Sequence, residues 1–208
     1  FDGNSDMQPD MVWTKRRPTS SSHGLRDSTR GATVELFPDS SDDELAVSDR
    51  FQAFESDGFQ VGTNADINGT SNNTYVAWAW KANGGTTTTN DASSTSVGTI
   101  DSVYQANTTA GFSIVTHTGS GSAGNIAHGL GVAPEWVLTK NRTDNSQSWA
   151  NYHAGIGNAY YLELDTDDAK ETASSVWGDT TPSSTTFRVG GANGKNNASS
   201  KNYVTYCF

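Results

Sequence analysis

Pro9-Asp10-Met11-Val12-Trp13-Thr14-Lys15-Arg16-Arg17 and Pro134-Glu135-Trp136-Val137-Leu138-Thr139-Lys140-Asn141-Arg142 are two versions of one segment, 125 residues apart. The correspondence continues downstream with little drift. Leu36, Asp39, Asp42 and Phe51 align with Leu162, Asp165, Asp168 and Trp177 at an offset of 126. Phe59-Gln60-Val61-Gly62 aligns with Phe187-Arg188-Val189-Gly190 at 128, as Tyr75-Val76-Ala77-Trp78-Ala79-Trp80 does with Tyr203-Val204-Thr205-Tyr206-Cys207-Phe208. Landmarks kept in one order with loop-sized indels indicate a duplicated unit, so the chain reads as two copies of one module.

Within each copy the apolar period is two. Phe59 and Val61, like Phe187 and Val189, alternate with polar neighbours and point to one sheet face. Val76, Trp78 and Trp80 share a face of the last strand, as Val204, Tyr206 and Phe208 do. The opposite face carries Ala77 and Ala79, or Thr205 and Cys207, so Cys207 fills a small packing slot. Phe112-Ser113-Ile114-Val115-Thr116 adds a strand ahead of the second copy. Its counterpart ahead of the first is missing or reduced to Phe1-Asp2-Gly3. Gly119-Ser120-Gly121-Ser122-Ala123-Gly124-Asn125 and His128-Gly129-Leu130-Gly131-Val132-Ala133-Pro134 are turn chemistry, with His128 bonding backbone. The acidic stretches 39–44 and 165–168 suit the opening of a short helical turn. These signals predict an all-β fold of two tandem β-sandwich modules. Residues 1–81 form the first, N-terminally incomplete; 82–110 are a Thr/Ser/Gly-rich linker or crossing strand; 111–208 form the second.

Composition narrows the function. Ser, Thr, Asn and Gly together supply 89 of 208 residues, against seven leucines and 21 aromatics. A formal net charge of −10, with Lys15, Arg16 and Arg17 as the only dense basic spot, argues against nucleic acid as a partner. No apolar run approaches the roughly 20 residues of a membrane helix, so membrane insertion is not expected. The single cysteine forms no intramolecular disulfide. A start at Phe1, without Met or signal sequence, and an apolar strand-like end suggest a fragment or a processed piece of something longer.

No constellation reads as catalytic. Serines and aspartates abound, but no nucleophile-elbow pattern accompanies His23, His117, His128 or His153. Paired carboxylates suit glycoside hydrolysis, yet Asp39/Asp42 and Asp165/Asp168 recur in both copies, and duplicated structural loops are commoner than duplicated active sites. The same four aspartates are weak calcium candidates, since that ion takes carboxylate and carbonyl oxygens, although neither pair has a calcium-loop spacing. No metal site and no cofactor is expected. Most aromatics of a leucine-poor sandwich are core. Trp149 and Tyr152, set among Ser146-Gln147-Ser148, Asn151 and His153, are the better candidates for exposed faces that stack on sugar rings. Trp149, Tyr152 and His153 are therefore the ligand-binding candidates.

Gly111-Phe112-Ser113-Ile114-Val115, the turn 128–134, Lys140-Asn141-Arg142 and Tyr203-Val204-Thr205-Tyr206-Cys207-Phe208 resemble the repeated modules of tail-fibre-like virion structural proteins of marine bacteriophages. The first copy carries similar marks at Gln8-Pro9-Asp10-Met11-Val12-Trp13, Asp27-Ser28-Thr29-Arg30-Gly31-Ala32 and Tyr75-Val76-Ala77-Trp78-Ala79-Trp80. It lacks the His-Gly-Leu-Gly turn, and the second copy has His153-Ala154-Gly155-Ile156-Gly157 in place of the Asp-Ser-x-Arg-Gly segment. The resemblance implies a concanavalin-like or jelly-roll sandwich on a virion surface, with no catalytic residues. The expected partners are other virion proteins and host-surface glycans, in a homo-oligomer for which a trimer is favoured. A capsid decoration or spacer module binding only virion proteins is the alternative reading, and a polysaccharide depolymerase a more distant one.

Overall fold

Residues 6–17, 19–70 and 72–208 are described by a computed structural model, and they are all-β. In the first half the strands are β1 (Met11–Arg16), β2 (Gly24–Asp27), β3 (Val34–Glu35), β4 (Leu45–Ala46), β5 (Phe51–Glu55), β6 (Gly58–Val61) and β7 (Tyr75–Trp80). There follow β8 (Thr88–Asn90), β9 (Ser102–Asn107), β10 (Phe112–Thr118), β11 (Gly124–Ala127), β12 (Trp136–Asn141) and β13 (Ala150–His153). The last are β14 (Tyr160–Glu163), β15 (Glu171–Thr172), β16 (Thr186–Val189) and β17 (Asn202–Cys207). The expected strand remnant Phe1-Asp2-Gly3 lies outside the described residues.

An eight-stranded antiparallel sheet runs in the order β15-β14-β13-β12-β17-β10-β9-β8. The first half builds β2-β1-β7, and β3 continues it, since Leu25 and Leu36 exchange backbone hydrogen bonds of 2.8 and 2.9 Å. With β4 paired to β3, the order β4-β3-β2-β1-β7 parallels β15-β14-β13-β12-β17. The larger sheet then goes on to β10, β9 and β8. Residues 82–110, expected as a linker or crossing strand, thus supply two paired strands, β8 and β9, to that sheet.

Apolar residues form three clusters, and the middle one draws on both halves. Leu138, Val204, Tyr206 and Ile114 on one face of the large sheet pack with Met11, Leu25 and Leu36 of the smaller. Alternation sends Val137, Val115 and Cys207 to the other face, where they meet Ile126, Phe187 and Val189 of the β11–β16 pair and Trp177. Beyond the smaller sheet, Val12 packs with Phe51 and Ile67 under the β5–β6 hairpin and α1 (Ala65–Asn68). The order of layers is hairpin, small sheet, large sheet, β11–β16 pair. Burying one such large side chain contributes about 1.5–3 kcal/mol relative to exposure. Leu138 and Val137 are neighbours in sequence and both are buried, so β12 is covered on both faces, as a middle layer requires.

The acidic stretches do not open helices. The α-helical turns start instead at Asn64 and Asp91, and a 3-10 turn at His153, whose side chains accept from backbone N–H groups two or three residues on. Asp39 accepts from the His23 backbone N–H at 3.0 Å and Asp165 from that of Trp149 at 2.8 Å. Each carboxylate ties a loop to the start of a strand. The turn at His128 is built as expected: its Nδ1 accepts from Leu130 N–H, its Nε2 lies 3.1 Å from the Ser183 carbonyl, and Gly129 and Gly131 sit at φ of 75° and 76°.

Candidate functional site

Two polar features stand out: a buried hub that joins the halves and an open cleft at one end of the large sheet. The hub starts from Asp27, the last residue of β2. Its carboxylate accepts from the backbone N–H groups of Thr29 and Arg30 at 3.1 and 2.9 Å, which turns the chain and brings Arg30 back beneath the sheet. Arg30 Nε donates to Asp27 at 2.5 Å and its Nη1 to Glu44 at 2.7 Å. From the second half, Tyr206 donates its hydroxyl to Asp27 at 2.6 Å, and Arg142 donates Nε and Nη2 to the two oxygens of Glu44 at 2.9 and 2.8 Å. Burial alone would depress the Arg30 guanidinium, but Asp27, Tyr206 and Glu44 hold it raised. Burial and the adjacent Asp27 push the Tyr206 phenol far up. Glu44 stays below the usual carboxylate range because Arg142 and Arg30 outweigh its own burial.

A second knot closes beside it. Asp10, fully buried, accepts from the backbone N–H groups of Ala82, Gly84 and Gly85 at 2.7–2.9 Å and from the Ser28 hydroxyl at 2.7 Å. Gln105 on β9 donates to Ser28 and Thr29 and accepts from Asn83 and Gly85. The segment Asp27-Ser28-Thr29-Arg30 is therefore a fastening between halves.

A third arrangement recurs in both halves. Lys140 Nζ donates to the carbonyls of Asn141, Gln147 and Ser41 at 2.9–3.1 Å, and Lys15 Nζ to those of Arg16, Thr19 and Ser21. Three carbonyl acceptors match the three protons of an ammonium. Burial pulls Lys140 down to about 8 against the opposing fields of Asp165, Asp43, Asp42 and Asp144. Asp42 and Asp43 of one acidic stretch and Asp165 of the other thus act on Lys140 together. Among the described residues no group of three or more His, Cys, Asp or Glu side chains is placed to hold a metal ion.

The cleft, about 600 Å³, opens at the ends of β8, β9 and β10 and is lined by Thr89, Asp101, Ser102, Thr118, Ser120 and Asn202 among others. Its lining sets six hydroxyl side chains and Asn202 beside the apolar Ile100 and Val103, and among the described residues its only aromatic ring is His117. Asp101 accepts from the Ala92 backbone N–H at 2.9 Å, and Arg142 is held by Glu44.

The sugar-stacking expectation for Trp149 and Tyr152 is corrected. Trp149 is fully buried in the shared core, parallel to Tyr206 and with Nε1 donating to the Phe37 carbonyl at 2.8 Å. Tyr152 is 3% exposed and meets Trp177 edge-on. The polar neighbour Asn151 misled because its side chain is itself spent in bonds: it accepts from Trp136 Nε1 and donates to the Leu162 carbonyl. His153 is exposed, its Nδ1 accepting from Gly155 N–H, and no second candidate joins it. The exposed tryptophan is Trp78, at 45%, beside Trp13. Cys207 is fully buried and its thiol is pushed up to about 12, chiefly by burial.

Among the described residues no helix is long and apolar enough to cross a membrane. A family model described as "Domain of unknown function (DUF7483)" matches residues 3–208. No curated protein and no solved structure matches the chain.

Proposed function

The chain belongs to that family, whose description names no activity, and from its architecture we propose that it is a non-enzymatic structural piece of a bacteriophage particle, tail-fibre- or spike-like. In this reading it consists of two tandem β-sandwich modules related by an internal repeat and welded back to back. The carrying observation is the weld. The central core and the Asp27–Arg30–Glu44–Arg142–Tyr206 hub are built from both halves, which suits a part that passes load between neighbours without bending. The matching strand orders and the paired lysine cages support the repeat. The resemblance to virion modules supplies the setting: a particle surface, other virion proteins as partners and a homo-oligomer, a trimer being favoured.

Burial of Trp149 and Tyr152 moves the weight from glycan display toward a spacer that binds only virion proteins. The hydroxyl-lined cleft favours host-glycan binding as the second reading, by hydrogen bonding and not by stacking. The experiment is calorimetry of the whole chain alongside a broad glycan array. One cooperative unfolding transition and a silent array are the expected results. Array hits that disappear in Asp101→Leu would transfer the assignment to glycan recognition, and two separate transitions would remove the welded-piece reading. A polysaccharide depolymerase reading, the third in rank, would need chain cleavage in the same samples.

A further inference from the structure

We propose that Ser28 and Gln105 form a self-closing cross-linking site: the Ser28 hydroxyl displaces ammonia from the Gln105 side-chain amide, and an ester joins the turn after β2 to β9. The inference goes beyond the welded-piece reading, since it makes one joint of the fastening covalent, and it does not depend on that reading.

Gln105 is 1% exposed, and both ends of its amide are engaged. Its Oε1 accepts from the backbone N–H groups of Asn83 and Gly85 at 3.2 and 3.1 Å. Two backbone donors on one carbonyl oxygen are the arrangement that stabilises charge developing there when the carbon is attacked. They also fix which end of the amide is oxygen. Nε2 is therefore the atom that lies 2.8 Å from Ser28 Oγ and 2.6 Å from Thr29 Oγ1. The carbonyl carbon Cδ is one covalent bond from that nitrogen. The Ser28 hydroxyl donates in turn to Asp10 Oδ1 at 2.7 Å, and Asp10 is fully buried. Hydroxyl, carboxylate and oxyanion donors thus meet around one amide, the set that nucleophilic attack requires. The loop that supplies the donors is shaped for the task. Gly84 and Gly85 sit at φ of 61° and 77°, which turns successive N–H groups to one side.

The step balances without a co-reactant. Ser28 Oγ bonds to Cδ, its proton passes to Asp10, and the carbonyl electron pair moves onto Oε1. The carbonyl re-forms as the Cδ–Nε2 bond breaks, and the proton held by Asp10 leaves on the nitrogen. An alcohol and an amide have become an ester and ammonia. The Gly85 N–H is shared between Asp10 Oδ1, at 2.8 Å, and Gln105 Oε1. As Asp10 takes the proton its hold on that donor weakens, and the donor passes to Oε1 while charge grows there. Alcohols do not attack amides at a useful rate when both are free in water, and fixing the two in contact removes much of that barrier. Ammonia is protonated at neutral pH and diffuses away, which draws the exchange forward.

The test is the intact mass of the whole folded chain, followed by tryptic mapping. A mass one ammonia below that of the sequence is expected, with a branched peptide in which residues 27–30 are joined to residues 82–140. The branch identifies the ester, because ammonia lost at an Asn-Gly pair such as Asn193-Gly194 leaves the peptides unbranched. Hydroxylamine should split the branch and leave a hydroxamate on the side chain of Gln105. Ser28→Ala should restore the full mass while keeping a cooperative melt, and Thr29→Ala should leave the branch in place. Asp10→Asn should slow closure about a hundredfold or more. A folded wild-type chain that stays at its full mass through prolonged incubation overturns the proposal without recourse to any variant. So does an unbranched chain in which Gln105 has been hydrolysed to the acid, since water is then the nucleophile. A branch kept in Ser28→Ala and lost in Thr29→Ala overturns the choice of hydroxyl. All these readouts are masses, so their failure is distinct from failure of the welded-piece reading, which is scored on unfolding.

Discussion

The two outer cores are built on the same strand order yet held by different means. Behind the large sheet fourteen buried residues, from Ile100 to Cys207, close one apolar cluster. Behind the small sheet, among the described residues, the buried ones are Val12, Phe51 and Ile67. The small side is reinforced by ions instead. Buried Arg26 reaches Glu35 and Thr14, and Arg50 bridges Glu35 at 2.7 Å and Asp66 at 3.0 Å. Ion pairs in such places return little net stability because desolvation offsets attraction. The first half therefore depends on the second, through the shared core, for much of its stability. The same fold pattern can carry itself in one place and lean on a neighbour in another.

That dependence can be broken at its centre. Trp149→Ala removes the largest side chain of the shared core and its bond to Phe37, and should cost about 3–5 kcal/mol. Calorimetry should show both halves destabilised together; loss confined to the second half would refute the shared core. Arg30→Ala leaves Asp27 and Glu44 buried with fewer partners and should cost about 3 kcal/mol or somewhat more, read from urea midpoints. Asp27→Asn in that background should recover part of the loss.

Acid should find the second half. His117 is held at about 4 and His128 below its ordinary value, chiefly by burial, so both fold as neutral rings. Below pH about 6.5 the unfolded chain binds protons that the native state refuses. Stability present above that pH should fall progressively down to pH about 4, by up to about 3 kcal/mol from His117. His117→Gln should flatten the profile of melting temperature against pH; an unchanged slope would remove His117 as its source. Smaller still, Phe187→Leu in the large outer core should cost more than Phe51→Leu in the small one, each about 1 kcal/mol. Least of all, Lys201→Ala opens a half-exposed pair with Asp144 and should shift stability by under about 1 kcal/mol.

The strands were legible where alternation was strict. Val204, Tyr206 and Phe208 do share a face, and Cys207 does sit in a packing slot. What alternation cannot show is the number of layers, because a polar cross-strand pair such as Thr139 and Thr205 becomes buried when the two hydroxyls satisfy each other, here at 2.9 Å. The same blindness hid Trp149. Trp78 escaped for the opposite reason: its pattern is that of a core strand, and among the described residues β7 pairs with β1 alone, a fact about pairing and not about residues. The hub was least legible, since Asp27, Arg30, Glu44, Arg142 and Tyr206 are scattered along the chain and only the layer stacking gathers them.

The lysine cages have a consequence for assembly. A loop moored by a diffusible ion waits for that ion, and a chelator can release it. At Lys15 and Lys140 the mooring cation is part of the polypeptide, supplied at translation in fixed one-to-one proportion and impossible to wash out. These loops are set as soon as the strands pair, whatever salts are present, and chemistry on the amine itself unmoors them.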